Sequence, residues 1–209
     1  MEEPYAVPMT AARQIDLVSI DDYLAGELVS TVRHEYLGGS VYAMAGARNV
    51  HNRIASNWLV SLGRSLQGKR CEAFNPDTKV RVRLPQHTRF YYPDGMVVCD
   101  PNSADETFQD NPVVIAEVVS ETTRRIDEGE KREAYFTIPS LMVYLVIETD
   151  QPRVVVHRRR EHGFQAEAYE GLDAVIPLEM IDARLPLSEL YERVDFSARD
   201  AGNSDSVPN

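Results

Sequence analysis

The spacing of apolar residues changes several times along the chain, and each change marks an element. Ser19 precedes "IDDYLAGEL", whose acids fall in a first helical turn, which predicts a short helix capped by that serine. "RHEYLGGSVYAM" sets Gly38-Gly39 between two short strand-like runs, a hairpin pattern. In "NVHNRIASNWLVSLGRSL", Ile54, Trp58 and Leu62 recur at helical spacing and predict an amphipathic helix. Strand-like runs dominate from Cys71 to Ser120, broken by "PQHT" and by the acidic "DPNSADETFQD". "RIDEGEKREAYFTIPS" reads as a helix that stops at Ile138, since the residue before a proline avoids helical geometry. After it, "LMVYLVIETDQPRVVVHRR" gives two strands around a "DQP" turn, "GFQAEAYEG" an edge strand and "PLSELYERV" a last short helix. The sum is an α/β fold with a central mixed β-sheet flanked by helices. Residues 1–16 read as a flexible lead-in, 17–196 as a single domain and 197–209 as a disordered tail.

With 209 residues, 43% hydrophobic and 26% charged, the chain suits one soluble globular domain. No apolar run approaches a membrane span, and "MEEPYAVPMT" lacks the basic start and apolar centre of a signal peptide. Cys71 and Cys99 form no motif together, so no disulfide follows from them. Few cysteines and no export signal point to the cytoplasm. A net charge of -11 argues against a general nucleic-acid coat protein, because neutralising phosphates takes lysine and arginine. The bases cluster in "KVRVRLPQHTR" and "HRRR". Lys79, Arg81 and Arg83 alternate with Val80, Val82 and Leu84, so a strand there has one basic and one apolar face. A solvated outer face is the leading reading of that strand, with a local phosphate-binding patch left open.

Two acids break the apolar pattern. Asp94 follows a proline in "YYPDGMVVCD", and Glu117 sits inside "PVVIAEVVS". Alternation puts Val113, Ile115, Glu117 and Val119 on one face of the second strand, and Val114, Ala116, Val118 and Ser120 on the other. Each acid alone reads as a salt bridge or a turn contact. As a pair on strands that could lie side by side they repel, and a divalent cation with a taste for oxygen ligands, magnesium or manganese, removes the conflict. Paired carboxylates also serve glycosidases, so the pair does not define the chemistry. In "DEGEKREAYFTI", Asp127, Lys131, Tyr135 and Ile138 share one helix face, which turns Lys131 towards the sheet. A surface pair between Asp127 and Lys131 is the competing reading.

These residues carry a resemblance. The stretch from "YYPDGMVVCD" through "VVIAEVVSETTRRIDEGEKREAYFTIPSLMVYLVIETDQPRVVVHRR" resembles the Uma-two family of restriction endonuclease type, within the PD-(D/E)XK nuclease superfamily. "RHEYLGGSVYAMAGA" followed by "HNRIASNWLVSL" is similar to the family's N-terminal part, so the likeness runs from about Ser19 to Leu190. It implies a restriction endonuclease-like fold and a DNA endonuclease using Mg2+ or Mn2+. It carries over Asp94 and Glu117 as motif acids, with the main-chain carbonyl of Val118 as a third metal ligand. The superfamily's lysine lies two residues after the second acid, where this chain has Val119; the resemblance implies that Lys131 supplies the ammonium from the following helix. Glu35 matches an acid of the family's N-terminal part and could face the metal, with an ordinary hairpin carboxylate as the alternative. His51 could touch a phosphate, but packing on the core is preferred. DNA is the implied partner, and a homodimer suits cutting of two strands. The competing reading is a catalytically silent nuclease-fold protein that binds nucleic acid or a protein partner.

Overall fold

Ser19 caps α1 (Ile20–Val29): its hydroxyl accepts from the Asp22 amide at 3.1 Å. The computed structural model describes residues 17–119 and 127–196, so the lead-in to Asp16 and the tail from Ser197 lie outside the described residues. The Gly38-Gly39 turn joins β1 (His34–Leu37) to β2 (Ser40–Ala43), and both glycines take positive φ, as a two-residue hairpin turn requires. The amphipathic helix is α2 (Asn49–Ser65), with Ile54, Trp58 and Leu62 on its buried side. Six strands follow: β3 (Glu72–Phe74), β4 (Lys79–Arg83), β5 (Thr88–Tyr91), β6 (Gly95–Val98), β7 (Phe108–Gln109) and β8 (Pro112–Val119).

The expected helix after β8 is shorter and less regular than its sequence suggests. A π turn (Asp127–Lys131) leads into α3 (Arg132–Phe136), and the stretch before it lies outside the described residues. β9 (Val143–Glu148) and β10 (Arg153–Arg160) enclose the "DQP" turn, and β11 (Gly163–Glu170) is an edge strand. A hairpin of β12 (Val175–Leu178) and β13 (Ala183–Pro186) then precedes α4 (Leu187–Leu190). That hairpin escaped the sequence reading because its runs are short and carry a proline each.

The strands form two main sheets, ordered β2-β1-β5-β4-β7 and β11-β10-β9-β8-β6-β3. In the second, β8 and β9 run parallel and the other pairs antiparallel, so the sheet is mixed. A parallel pair needs a crossover, and the segment carrying α3 provides it. Val114, Ala116 and Val118 of β8 pack under α2, β13 and α4. Ile115 and Val119 point the other way, against Tyr135 of α3 and Val80, Val82 and Tyr91 of the first sheet. α1 covers the far side of that first sheet through Tyr23, Tyr36 and Phe90. The expected alternation of β8 holds except at Val113, which packs with the α2 side. The register shifts there, Val97 pairing with Val114 and Val98 with Pro112, so Val113 is the extra residue of a bulge.

Cys71 and Cys99 are joined in a disulfide. They lie one step beyond the Glu72–Val98 pair of β3 and β6, so strand pairing brings them together.

Candidate active site

The site forms at the ends of β6 and β8. Gly95 pairs with Ala116, and one step further the same register sets Asp94 across from Glu117. Side chains of such facing residues are within reach of one another. Asp94 acts first as a cap. Its Oδ2 accepts from the Val118 amide at 2.7 Å, at the point where β8 runs past its partner strand, and lies 3.1 Å from Nε2 of His51. This explains an aspartate directly after Pro93. Besides any cation shared with Glu117, the protein's own donors hold Asp94.

Glu117 is buried, as alternation predicts, and faces Tyr135, whose hydroxyl donates to its Oε1 at 2.8 Å. Lys131 Nζ stands 3.7 Å from the same oxygen and 2.9 Å from Glu35 Oε1. Lys131 is thus a buried lysine flanked by two carboxylates, while the competing pair with Asp127 falls on a side chain outside the described residues. Lys131 ends the π turn, and the wider turn aims it, with Tyr135 four residues on, at Glu117. Glu35 comes from the other sheet, so the site bridges the seam between the two sheets. Tyr91 of that sheet lies under Lys131, its ring centre 5.8 Å from the ammonium. Arg89 donates to the Tyr91 hydroxyl at 2.9 Å and pairs with Glu130 at 2.9 Å, bracing the residue next to Lys131. Burial, followed by the negative charge of Glu117, pushes the Tyr135 phenol far above its ordinary range, so it stays a neutral donor. Burial likewise pushes Tyr91 up to about 12, with Arg89 opposing.

Among the described residues, no three His, Cys, Asp or Glu side chains are grouped as a ready metal cage. The donor set nevertheless fits a hard divalent cation. Both contacts of Asp94 fall on Oδ2, which leaves Oδ1 without a protein partner among the described residues. The Val118 carbonyl projects from the same strand edge as the Val118 amide, on the Asp94 side, because both groups of a strand residue point one way. Magnesium needs only one or two carboxylates beside its waters.

The basic stretches are largely committed elsewhere. Arg81 binds Asp110 through two nitrogens at 2.8 and 2.7 Å, and Arg83 reaches the same carboxylate at 3.1 Å. Lys79 is buried and donates to the Tyr92 hydroxyl at 3.3 Å. In "HRRR", Arg158 pairs with Glu167, and Arg159 donates to the carbonyls of Leu141 and Ile138 at 2.6 and 2.7 Å. The expected basic face of β4 is therefore neutralised by an acid from β7's far end, which strand alternation alone does not reveal.

His51 and Tyr135 are the site residues that sequence reasoning gave other duties. The signal for Tyr135 was its place four residues after Lys131; for His51, one helical face shared with Trp58.

A mixed sheet faced by helices, with two acids at its paired strand ends, is a restriction endonuclease-like α/β fold. The chain belongs to the Uma2 (Uma-two) family, described as "Putative restriction endonuclease", whose model matches residues 20–188. It is 30% identical over 147 residues to the uncharacterized protein slr1290 of Synechocystis sp., a match covering 70% of this chain and 76% of that protein. A second Synechocystis protein, the uncharacterized sll1609, is 30% identical over 135 residues, 63% of this chain and 75% of the relative. In three dimensions the fold is similar to the crystal structure of a putative nuclease belonging to DUF820 from Anabaena variabilis. The TM-score is 0.62 at 16% identity, covering 80% of this chain and 92% of that one. No helix among the described residues is long and apolar enough to cross a membrane.

Proposed function

We propose that this chain is a divalent-metal-dependent nuclease that hydrolyses phosphodiester bonds in DNA as an endonuclease of restriction type. The observation that carries the reading is Lys131 Nζ standing 3.7 Å from Glu117 Oε1, with Asp94 one register step beyond the Gly95–Ala116 pair. Asp94 Oδ1, Glu117 and the Val118 carbonyl would hold Mg2+ or Mn2+. The cation supplies a water of lowered pKa and charge stabilisation at the phosphate. Tyr135 fixes the rotamer of Glu117 by donating to it. Lys131 would position the attacking water and offset the negative charge that develops on the phosphate oxygens. Glu35, 2.9 Å from the ammonium, sets where that charge sits. Two copies acting together would cut both strands of a duplex.

The test is single-turnover cleavage of supercoiled and linear DNA in Mg2+ or Mn2+, with wild type, Asp94→Asn and Glu117→Gln. Wild-type cutting that a chelator stops and both variants lack is the expected result. Cutting that persists in either variant sinks the assignment. A second reading, a nuclease-fold protein that binds without cutting, is favoured by Lys131's close ion pair with Glu35 and by Val119 at the superfamily's lysine position. A wild type that binds DNA yet cuts none in either metal would support it.

A further inference from the structure

We infer that His51 is a positioning residue that makes Asp94 a one-oxygen metal ligand; the inference rests on the metal-dependent reading above. Its first support is how α2 is seated. The indole of Trp58 lies directly on Gly95, so close that a Cβ at position 95 would stand 2.3 Å from Trp58 Cζ3. Only glycine admits this approach, and Trp58 is buried by it. Seven residues make almost two helical turns, so His51 lies on the same side of α2 as Trp58 and about 10 Å towards its start. Seating Trp58 on Gly95 therefore delivers the imidazole to the residue before that glycine.

The second support is the use made of Asp94's oxygens. Oδ2 faces both the Val118 amide at 2.7 Å and His51 Nε2 at 3.1 Å. One donor leaves a carboxylate able to turn about its last bond, whereas two donors converging on one oxygen from different elements fix the plane. The amide belongs to β8 and the imidazole to α2, so the lock exists only when helix and sheet are packed. With Oδ2 committed, Oδ1 is the oxygen presented to a cation. Groups that hydrogen-bond to a metal ligand in this way typically govern affinity, and losing one costs about 10–100-fold. A His51 that merely packs would leave metal affinity untouched.

The full chain offers its own reporter, since Trp58 is the sole tryptophan and touches the residue beside Asp94. Mn2+ is titrated into wild type, His51→Phe and His51→Gln, following tryptophan quenching and heat by calorimetry, with melting curves in chelator. His51→Phe keeps a flat ring without a donor and should weaken Mn2+ binding about 10–100-fold. His51→Gln retains an N–H and should bind Mn2+ much as wild type does, with all three melting alike in chelator. If His51→Phe misfolds, His51→Ala takes its place with the same expectation. Wild-type affinity in the donor-less variant, beside normal binding by wild type, overturns the inference and leaves the nuclease reading intact. Equal weakening in His51→Gln and His51→Phe also overturns it, because the hydrogen bond would then be irrelevant. A wild type that binds no Mn2+ removes the metal reading itself, and this inference with it.

Discussion

Glu117 is 3% exposed, yet every sign of it is that of a kept charge: a phenol donates to it and an ammonium stands beside it. Removing it is therefore not the relief of repulsion that two bare facing acids would suggest. Glu117→Ala leaves the buried Tyr135 hydroxyl without this acceptor, and should cost about 1–3 kcal/mol in denaturant melts. Glu117→Gln keeps an acceptor oxygen and should melt close to wild type while losing cleavage. Lys131→Ala does more damage, because Glu35 and Glu117 are then left without the shared cation. Breaking a buried pair in this way costs about 3–5 kcal/mol, which chemical denaturation would read directly. Val119→Lys should not rescue such a variant, since Val119 is fully buried between Tyr135 and β4 and the longer chain overpacks by about 1–3 kcal/mol. At this scale Asp94 and Glu117 stand out in the sequence because each breaks an apolar pattern, and Lys131 because helical spacing sets it on one face with Tyr135 and Ile138. The sequence hid the partnerships of Glu35, His51 and Tyr135, because those depend on elements far apart in sequence converging at one point.

Most elements were legible in the periodicity, and the exceptions share a cause. The β12–β13 hairpin is built from four-residue strands, too short for a period to register, and the π turn differs from an α-helix by one residue per turn. β4 shows the limit from another side. Its alternation was plain, but its charges are spoken for by Asp110, which lies beyond β7 on a separate element. Replacing Arg81 and Arg83 by alanine should therefore leave the salt dependence of DNA binding unchanged. Asp110→Asn frees both guanidinium groups and should steepen the slope of log K against log salt by up to about 2. Fluorescence anisotropy across a salt series in chelator checks both. Burial raises the pKa of Asp110, but its hydrogen bonds from Arg81 and Asn102 and the nearby guanidinium charges outweigh that and hold it below 3.8. The unfolded chain then takes up the proton first as pH falls. The stabilisation is complete above about 3.8 and is lost as pH drops through the lower folded value. An acid-unfolding series of Asp110→Asn should lack that component and reach the same stability as wild type at the lowest pH.

On the scale of the whole molecule, the order of elements gave the mixed α/β class, but not that two sheets would face each other with the site on their seam. Sheet pairing is a long-range property, and so is the Cys71–Cys99 bridge, which became visible only once β3 lay beside β6. Such a bond is a feature of oxidising surroundings, so it does not support the cytoplasmic expectation. Closing a loop with a sequence separation of 28 is worth about 3–4 kcal/mol in the chain-entropy model. Thermal melts with and without reductant should differ accordingly, and Cys71→Ser should melt like the reduced protein under both conditions. Equal melting temperatures for wild type in the two conditions would show that the bridge adds nothing. The seam has a consequence in time. Glu35 leaves the ribosome long before Lys131, with about a hundred residues between them, or roughly 5–20 s of synthesis at 5–20 residues per second. Asp94 and Glu117 emerge within that interval, so the nascent chain gathers its proposed carboxylates one by one and lacks the ammonium until its end. The proposed activity then waits on Lys131, the last of these four residues to be made.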